Sequence, residues 1–322
     1  MKNGVNYQAS QAARFAGART SALAICLMVV SVVSAYGQPA KCEEKGHARE
    51  FWREIAKNHY LAPTGQDLFP LARELSSYFC SPDPELRDDL AYSILSSWIV
   101  RQKKFSHQEL LALAKDWPAN LRMGIGETGT DSIFARSFSA LNLASIAERD
   151  LKDPFLDNDG YRTLLDNALK YLNDEQDLRG FDAKKGWIHA TAHTSDLLAA
   201  LAQNQFFTKK DAGTVLEAIL RRLATANVVF QYGEQDRLAN AAAVIILRPD
   251  FDSEQWKSLV GKMDEADRRL WNESPPKLLE LTRFENDSYF LQALFAQVAL
   301  RGATPASAEA QKVTLGSLRG RQ

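Results

Sequence analysis

In the stretch 186–201, GWIHATAHTSDLLAAL, His189 and His193 stand four residues apart and Asp196 follows three later. Positions three and four apart share one face of a helix, so these polar side chains form one stripe on an otherwise apolar segment. Two imidazoles at this spacing can reach one divalent metal ion from one helix. Asp196 lies about 10.5 Å from His189 along the axis, at about 1.5 Å per residue, too far for one ion to bind all three. A metal would therefore need a carboxylate from another helix, with Glu127, Asp131, Glu234 and Asp236 as candidates, while Asp196 served as an outer acceptor for His193. Ala190 stands where the HExxH metalloproteases carry their glutamate, which argues against that chemistry. The competing reading is two histidines hydrogen-bonded within a helix interface, with no metal or other cofactor.

Two further charged groups have the same double reading. Glu127, Asp131 and Arg136 surround a helix start behind the Gly124-Ile125-Gly126 turn. Paired carboxylates there could do acid–base work if burial separated their pKa values, or could serve as caps and ion pairs of a first turn, with Thr128 or Thr130 as cap. Glu234, Asp236 and Arg237 repeat the pattern after Gly233, Glu234 and Arg237 being at pairing distance. Between them lies a polar loop, Asp177 to Asp182 followed by Lys184, Lys185, Gly186 and Trp187. Trp187 could offer a stacking surface; Arg179 could bind a ligand or pair with Asp177 or Asp182. Phosphate loops, GxSxG elbows and calcium loops are absent from the sequence.

These side chains have to be positioned by helices. Apolar residues recur at helical spacing almost everywhere, and no convincing period-2 run occurs. The pattern predicts helices over 47–59, 67–80, 84–101, 106–116, 130–149, 160–174, 185–203, 209–226, 235–248, 253–271 and 277–301, with prolines at several breaks. The short connections favour antiparallel neighbours. If Asp89, Asp131, Asp196, Asp236 and Asp287 are equivalent, they recur at intervals of 42, 65, 40 and 51 residues. That is compatible with HEAT- or armadillo-like helix pairs of about 40–47 residues carrying insertions. A lone acid near each helix start, favoured by the helix dipole, explains the pattern equally.

Residues 1–37 carry Lys2, Arg14 and Arg19, no acidic residue, then ALAICLMVVSVVSA and the small residues around Ala35 and Gly37. The apolar run is shorter than the roughly 20 residues a span needs, so the segment reads as an export signal cleaved after Gly37. Its removal takes the formal net charge from −1 to −4. No basic patch remains, which excludes nucleic acid as a partner class, and no membrane span is expected after cleavage. Beyond the signal only Cys42 and Cys80 remain; in an oxidising compartment they permit one disulfide or two separate thiols. Residues 38–302 read as a single helical domain, and 303–322, without an apolar stripe, as a mobile tail.

Three blocks, GIGETGTDSIFARSFSALNLA (124–144), DLRGFDAKKGWIHATAHTSDLLAALA (177–202) and GEQDRLA (233–239), resemble the uncharacterised bacterial family catalogued as domain of unknown function 2785. The resemblance runs from about residue 86 to 248. It implies an all-helical fold and brings no activity, substrate or cofactor; the export signal departs from the cytoplasmic setting it implies.

The combined expectation is an exported, all-α, right-handed array of antiparallel helix pairs. A concave groove lined by Glu127, Asp131, Arg136, His189, His193, Asp196, Glu234, Asp236 and Arg237, flanked by Arg179 and Trp187, would bind a small molecule or a protein. The alternatives are a metal-assisted hydrolase using the same groove and an envelope scaffold.

Overall fold

Short polar residues stand at the starts of α2 (Leu68–Ser76), α4 (His107–Asp116), α6 (Asn158–Asp174), α8 (Lys209–Thr225), α10 (Ser253–Arg268) and α12 (Pro305–Arg319). Asp67, Ser106, Asp157, Thr208, Asp252 and Thr304 each accept a hydrogen bond from a backbone N–H of the first turn, which satisfies donors that a helix leaves unpaired. Ser106 with Glu109 and Thr208 with Asp211 complete reciprocal capping boxes. The computed structural model describes Cys42, residues 46–272 and residues 274–321; the export signal expected over 1–37 lies outside the described residues.

The remaining helices are α1 (Arg49–Lys57), α3 (Ser93–Ser96), α5 (Ser132–Lys152), α7 (Ala190–Leu201), α9 (Glu234–Ile246) and α11 (Leu278–Leu300). α3 is the middle of one helical run, 85–101, with wider π-type turns on both sides. The all-α expectation holds: the only strands among the described residues are β1 (Phe181–Asp182) and β2 (Gly186–Trp187), an antiparallel hairpin. No described helix is long and apolar enough to cross a membrane.

α5 packs on α7, α7 on α9 and α9 on α11, while α6, α8 and α12 pack outside this row. α5 and α7 are buried almost all round, as the centre of a layer must be, whereas α9 and α11 also keep exposed residues. In α5 every residue from Ile133 to Ala147 is buried, Ser137, Ser139, Asn142 and Ser145 among them. Small side chains here let neighbouring backbones approach, and the apolar residues between them join a single core with Trp52, Trp98, Phe134, Phe138, Leu197 and Phe290.

Three expectations need correction, and one open alternative is decided. Residues 303–322 are not a loose tail: α12 buries Ser307, Ala310, Thr314 and Ser317, a helical stripe of small residues that an apolar count misses, and packs on α10 and α11. The histidine helix starts at Ala190, not 185, because 181–187 turn back as the hairpin. The five aspartates are not equivalent: Asp131 precedes α5, Asp236 lies in the first turn of α9, and Asp196 and Asp287 sit well inside α7 and α11. Cys42 and Cys80, left open above, are joined by a disulfide with Cα atoms 5.6 Å apart.

Candidate functional site

Unlike the six helices with side-chain caps, α5, α7 and α9 begin at Asp131, His189 and Gly233, none of which makes a side-chain cap hydrogen bond. His189 has φ +49° and Gly233 φ +91°. Left-handed backbone costs a residue with a Cβ about 1–2 kcal/mol, and such positions persist where the surroundings over-determine them, often at functional sites. Here the surroundings are the hairpin. Ile188 and His189 donate backbone N–H bonds to the Gly180 carbonyl, and the His189 ring stacks on Trp187 at 4.3 Å between centroids. Arg87, fully buried, pins the hairpin to the 85–101 run by donating to the carbonyls of Lys185 (2.7 Å) and Trp187 (3.0 Å). Its guanidinium lies over Phe134, and burial without a carboxylate partner lowers its pKa to about 10.

Four helical stripes then face one another across a groove of about 610 Å³. Asp88, Tyr92 and Ser96 come from the 85–101 run; Leu141, Ala144, Ser145 and Glu148 from α5; His193, Asp196, Ala200 and Gln203 from α7 and its end; Gly233, Asp236, Arg237 and Asn240 from α9. Within each set residues recur three or four apart, with adjacent pairs at 144–145 and 236–237, the pattern that keeps side chains on one helix face. His189 lies at the floor, while Trp187 (41% exposed) and Tyr232 (48% exposed) form the rim.

The hydrogen bonds fix both imidazoles in one state. Ser137 Oγ donates its only proton to the Ile188 carbonyl and therefore accepts from His193 Nδ1 at 2.8 Å. His189 Nε2 donates to the Tyr232 carbonyl at 2.9 Å. His193 thus keeps a lone pair on Nε2 and His189 on Nδ1. Burial pushes the His189 pKa down to about 4 and that of His193 well below the ordinary value, with the nearby positive charge of Arg237 acting in the same direction. Both rings are neutral at physiological pH. Burial raises the pKa values of Asp88, Asp196 and Glu148, and Asp196 adds repulsion at Glu148. Arg237 bridges Asp196, so the one guanidinium lining the groove is already paired.

Other residues expected in the groove lie outside it. Arg136 is fully buried and forms a two-point pair with Glu175, Nε to Oε2 at 2.6 Å and Nη2 to Oε1 at 3.1 Å, while Nη1 holds the Met123 and Gly124 carbonyls. It fastens the turn before α5. Glu127 accepts from Ser132 (2.7 Å) and Thr130 (2.9 Å) and closes the same turn. Asp131 pairs with Lys185 at 2.5 Å, tying the hairpin to α5. Arg179 pairs with Asp177 at 2.6 Å, as its structural reading anticipated, and lines a second cavity of about 440 Å³ beside the hairpin. Glu234, buried, lines that second cavity, takes the Tyr232 N–H at 2.9 Å and stands 4.0 Å from His189 Nε2.

Sequence reasoning missed Asp88, Tyr92, Glu148, Gln203, Tyr232 and Asn240. Glu148 had a usable signal, since Ser137, Leu141, Ser145 and Glu148 recur at helical spacing along the helix expected over 130–149. Asp88 had less: in Arg87-Asp88-Asp89 either acid could face inward. As for metals, no group of three His, Cys, Asp or Glu side chains stands in ligating proximity among the described residues; His189 Nδ1 and His193 Nε2 are the donors a metal would find in the groove.

The family described as "Protein of unknown function (DUF2785)" matches residues 121–296. Comparison with curated proteins and with solved structures gives no match.

Proposed function

Because this chain belongs to the DUF2785 family of unknown function, we propose that its role is to bind a small ligand in the groove between the 85–101 run, α5, α7 and α9. The observation that carries the reading is the pair of neutral imidazoles, each locked by one nitrogen to the protein and left with a lone pair on the other, in a cavity of about 610 Å³. Ligand sites of about 300–1,000 Å³ with a few fixed polar groups are the common form of small-molecule recognition. Left-handed backbone at His189 adds support, since departures from local rules concentrate at functional sites. Metal-assisted hydrolysis would use the same lone pairs but needs a third donor, so binding is the preferred reading.

The wider proposal is an exported helical-repeat protein of HEAT- or armadillo-like type. Side-by-side packing of α5, α7, α9 and α11 supports the repeat. The N-terminal charge and apolar pattern supports export, and so does a disulfide between Cys42 and Cys80, which suits an oxidising compartment.

The test is a chemically mixed ligand screen read through the side-chain NMR signals of His189 and His193, with metal analysis of the purified protein alongside. Hits should move both histidines and be lost in Ala200→Trp, which fills the groove without removing a charge. Hits that leave both signals unmoved, or that survive the filled groove, would overturn the reading; bound stoichiometric metal would favour the hydrolase.

A further inference from the structure

The groove is chemically one-sided. Asp88, Glu148, Asp196 and Asp236 line it against the single cation Arg237, whose charge is spent on Asp196. The other nearby cations are committed or set back: Lys185 pairs with Asp131, Arg87 donates to carbonyls, Lys152 acts on Glu148 without lining the cavity, and Arg301 donates to Gln297 and Asn240 from outside the lining. An independent observation points the same way. His193 is only 6% exposed, its Nδ1–H is held by Ser137, and its Nε2, on the groove side, has no hydrogen-bond partner among the described residues. A ring lone pair open to the groove accepts an N–H from whatever occupies it. So does His189 Nδ1, the Nε2–H of that ring being spent on Tyr232.

We infer that the groove takes an organic cation bearing one or more primary ammonium groups, with Asp88, Glu148 and Asp236 supplying charge and the imidazole lone pairs accepting N–H bonds. This rests on the ligand-groove reading above. An ammonium group carries donors and no acceptor, the complement of what the groove presents. An anionic ligand would find one lining cation, Arg237, already paired with Asp196, and would meet four carboxylates. Raised carboxyl pKa values at Asp88, Glu148 and Asp196 show charge that burial disfavours, which an arriving cation would relieve. The size favours an extended molecule over a bare metal ion, because the three carboxylates sit on three separate helical segments around about 610 Å³. Trp187 and Tyr232 at the rim offer aromatic surfaces that attract alkylammonium groups.

The experiment is calorimetric titration of the protein with 1,4-diaminobutane and spermidine, against 1,4-butanediol and succinate as neutral and anionic controls, and against Mg²⁺, Ca²⁺ and Zn²⁺ alone. The amines should bind, with affinity falling as salt rises, and the controls should not. Asp88→Asn, Glu148→Gln and Asp236→Asn should each weaken amine binding about tenfold, the scale of one charge-assisted hydrogen bond. Unchanged circular dichroism and melting of these variants would separate lost binding from lost fold. Equal binding of butanediol or succinate, binding of a metal ion without amine binding, or amine affinity indifferent to all three substitutions would overturn the inference while leaving a ligand groove standing. If no probe of any charge moves the His189 and His193 signals, the groove reading itself falls.

Discussion

His189 and His193 are each anchored through a single ring nitrogen, and that anchoring makes their protonation a property of the fold. Unfolded imidazole titrates near 6.5, whereas folded His189 stays neutral down to about pH 4. Between those values the unfolded chain binds more protons, so the His189 contribution is neutral above 6.5 and destabilises the fold as pH drops toward 4. Wild-type protein should lose about 2 kcal/mol more unfolding free energy than His189→Gln between pH 7.5 and 5.0, measured by urea titration. Asp88, Asp196 and Glu148, raised by burial, act with the opposite sign but are common to both proteins. Equal losses would mean that the ring is not held neutral. Arg136 shows the structural counterpart. Glu175→Gln strands its buried guanidinium and should cost about 3–5 kcal/mol in the same assay; a near-neutral result would remove the pair from the supports of the α5 turn. The stripe of His189, His193 and Asp196 was legible in the sequence because helical spacing alone places all three on one face. Arg136 was not: the sequence offered it as a groove residue or as an ion-pair partner of its own helix start, and its actual partner Glu175 lies 39 residues away.

Elements are positioned by close contacts that residue types only hint at. Gly180 illustrates this. A Cβ there would collide with the Glu234 carboxylate and lie 2.6 Å from Tyr232 Cδ2, so Gly180→Ala should cost about 1–3 kcal/mol and shift the His189 signals in NMR spectra. A variant that kept wild-type stability and spectra would show that hairpin and α9 tolerate separation. Helix existence was readable from periodicity along nearly the whole chain, and the outer helices announced their starts through Asp, Ser and Thr caps. The start of α7 was not readable, since a two-residue hairpin leaves no period to detect and left-handed His189 mimics a helical residue in composition. α12 was missed because its buried stripe, Ser307, Ala310, Thr314 and Ser317, is made of small residues whose burial depends on α10 and α11.

On the scale of the molecule, covalent and non-covalent ties join segments far apart in the chain. The Cys42–Cys80 disulfide closes a loop with a sequence separation of 38, and the chain-entropy account gives about 4 kcal/mol for a loop of this size. Replacing both cysteines by serine should lower stability by up to that amount, checked by thermal or urea unfolding; no change would place the 42–80 segment outside the cooperative fold. The match to DUF2785 covers residues 121–296, which hold α5, α7 and α9, whereas Asp88, Tyr92 and Ser96 lie before it. The missing side of the groove could not be read from the three family-like blocks for that reason: it is brought to them only by tertiary packing. Arg87 makes that connection, reaching the carbonyls of Lys185 and Trp187 across 98 and 100 residues. At about 5–20 residues per second of synthesis, its last two acceptors emerge on the order of 5–20 s after the arginine itself. During that interval the guanidinium lacks these two acceptors, so the 85–101 wall of the groove is tied to the hairpin only once residue 187 has emerged.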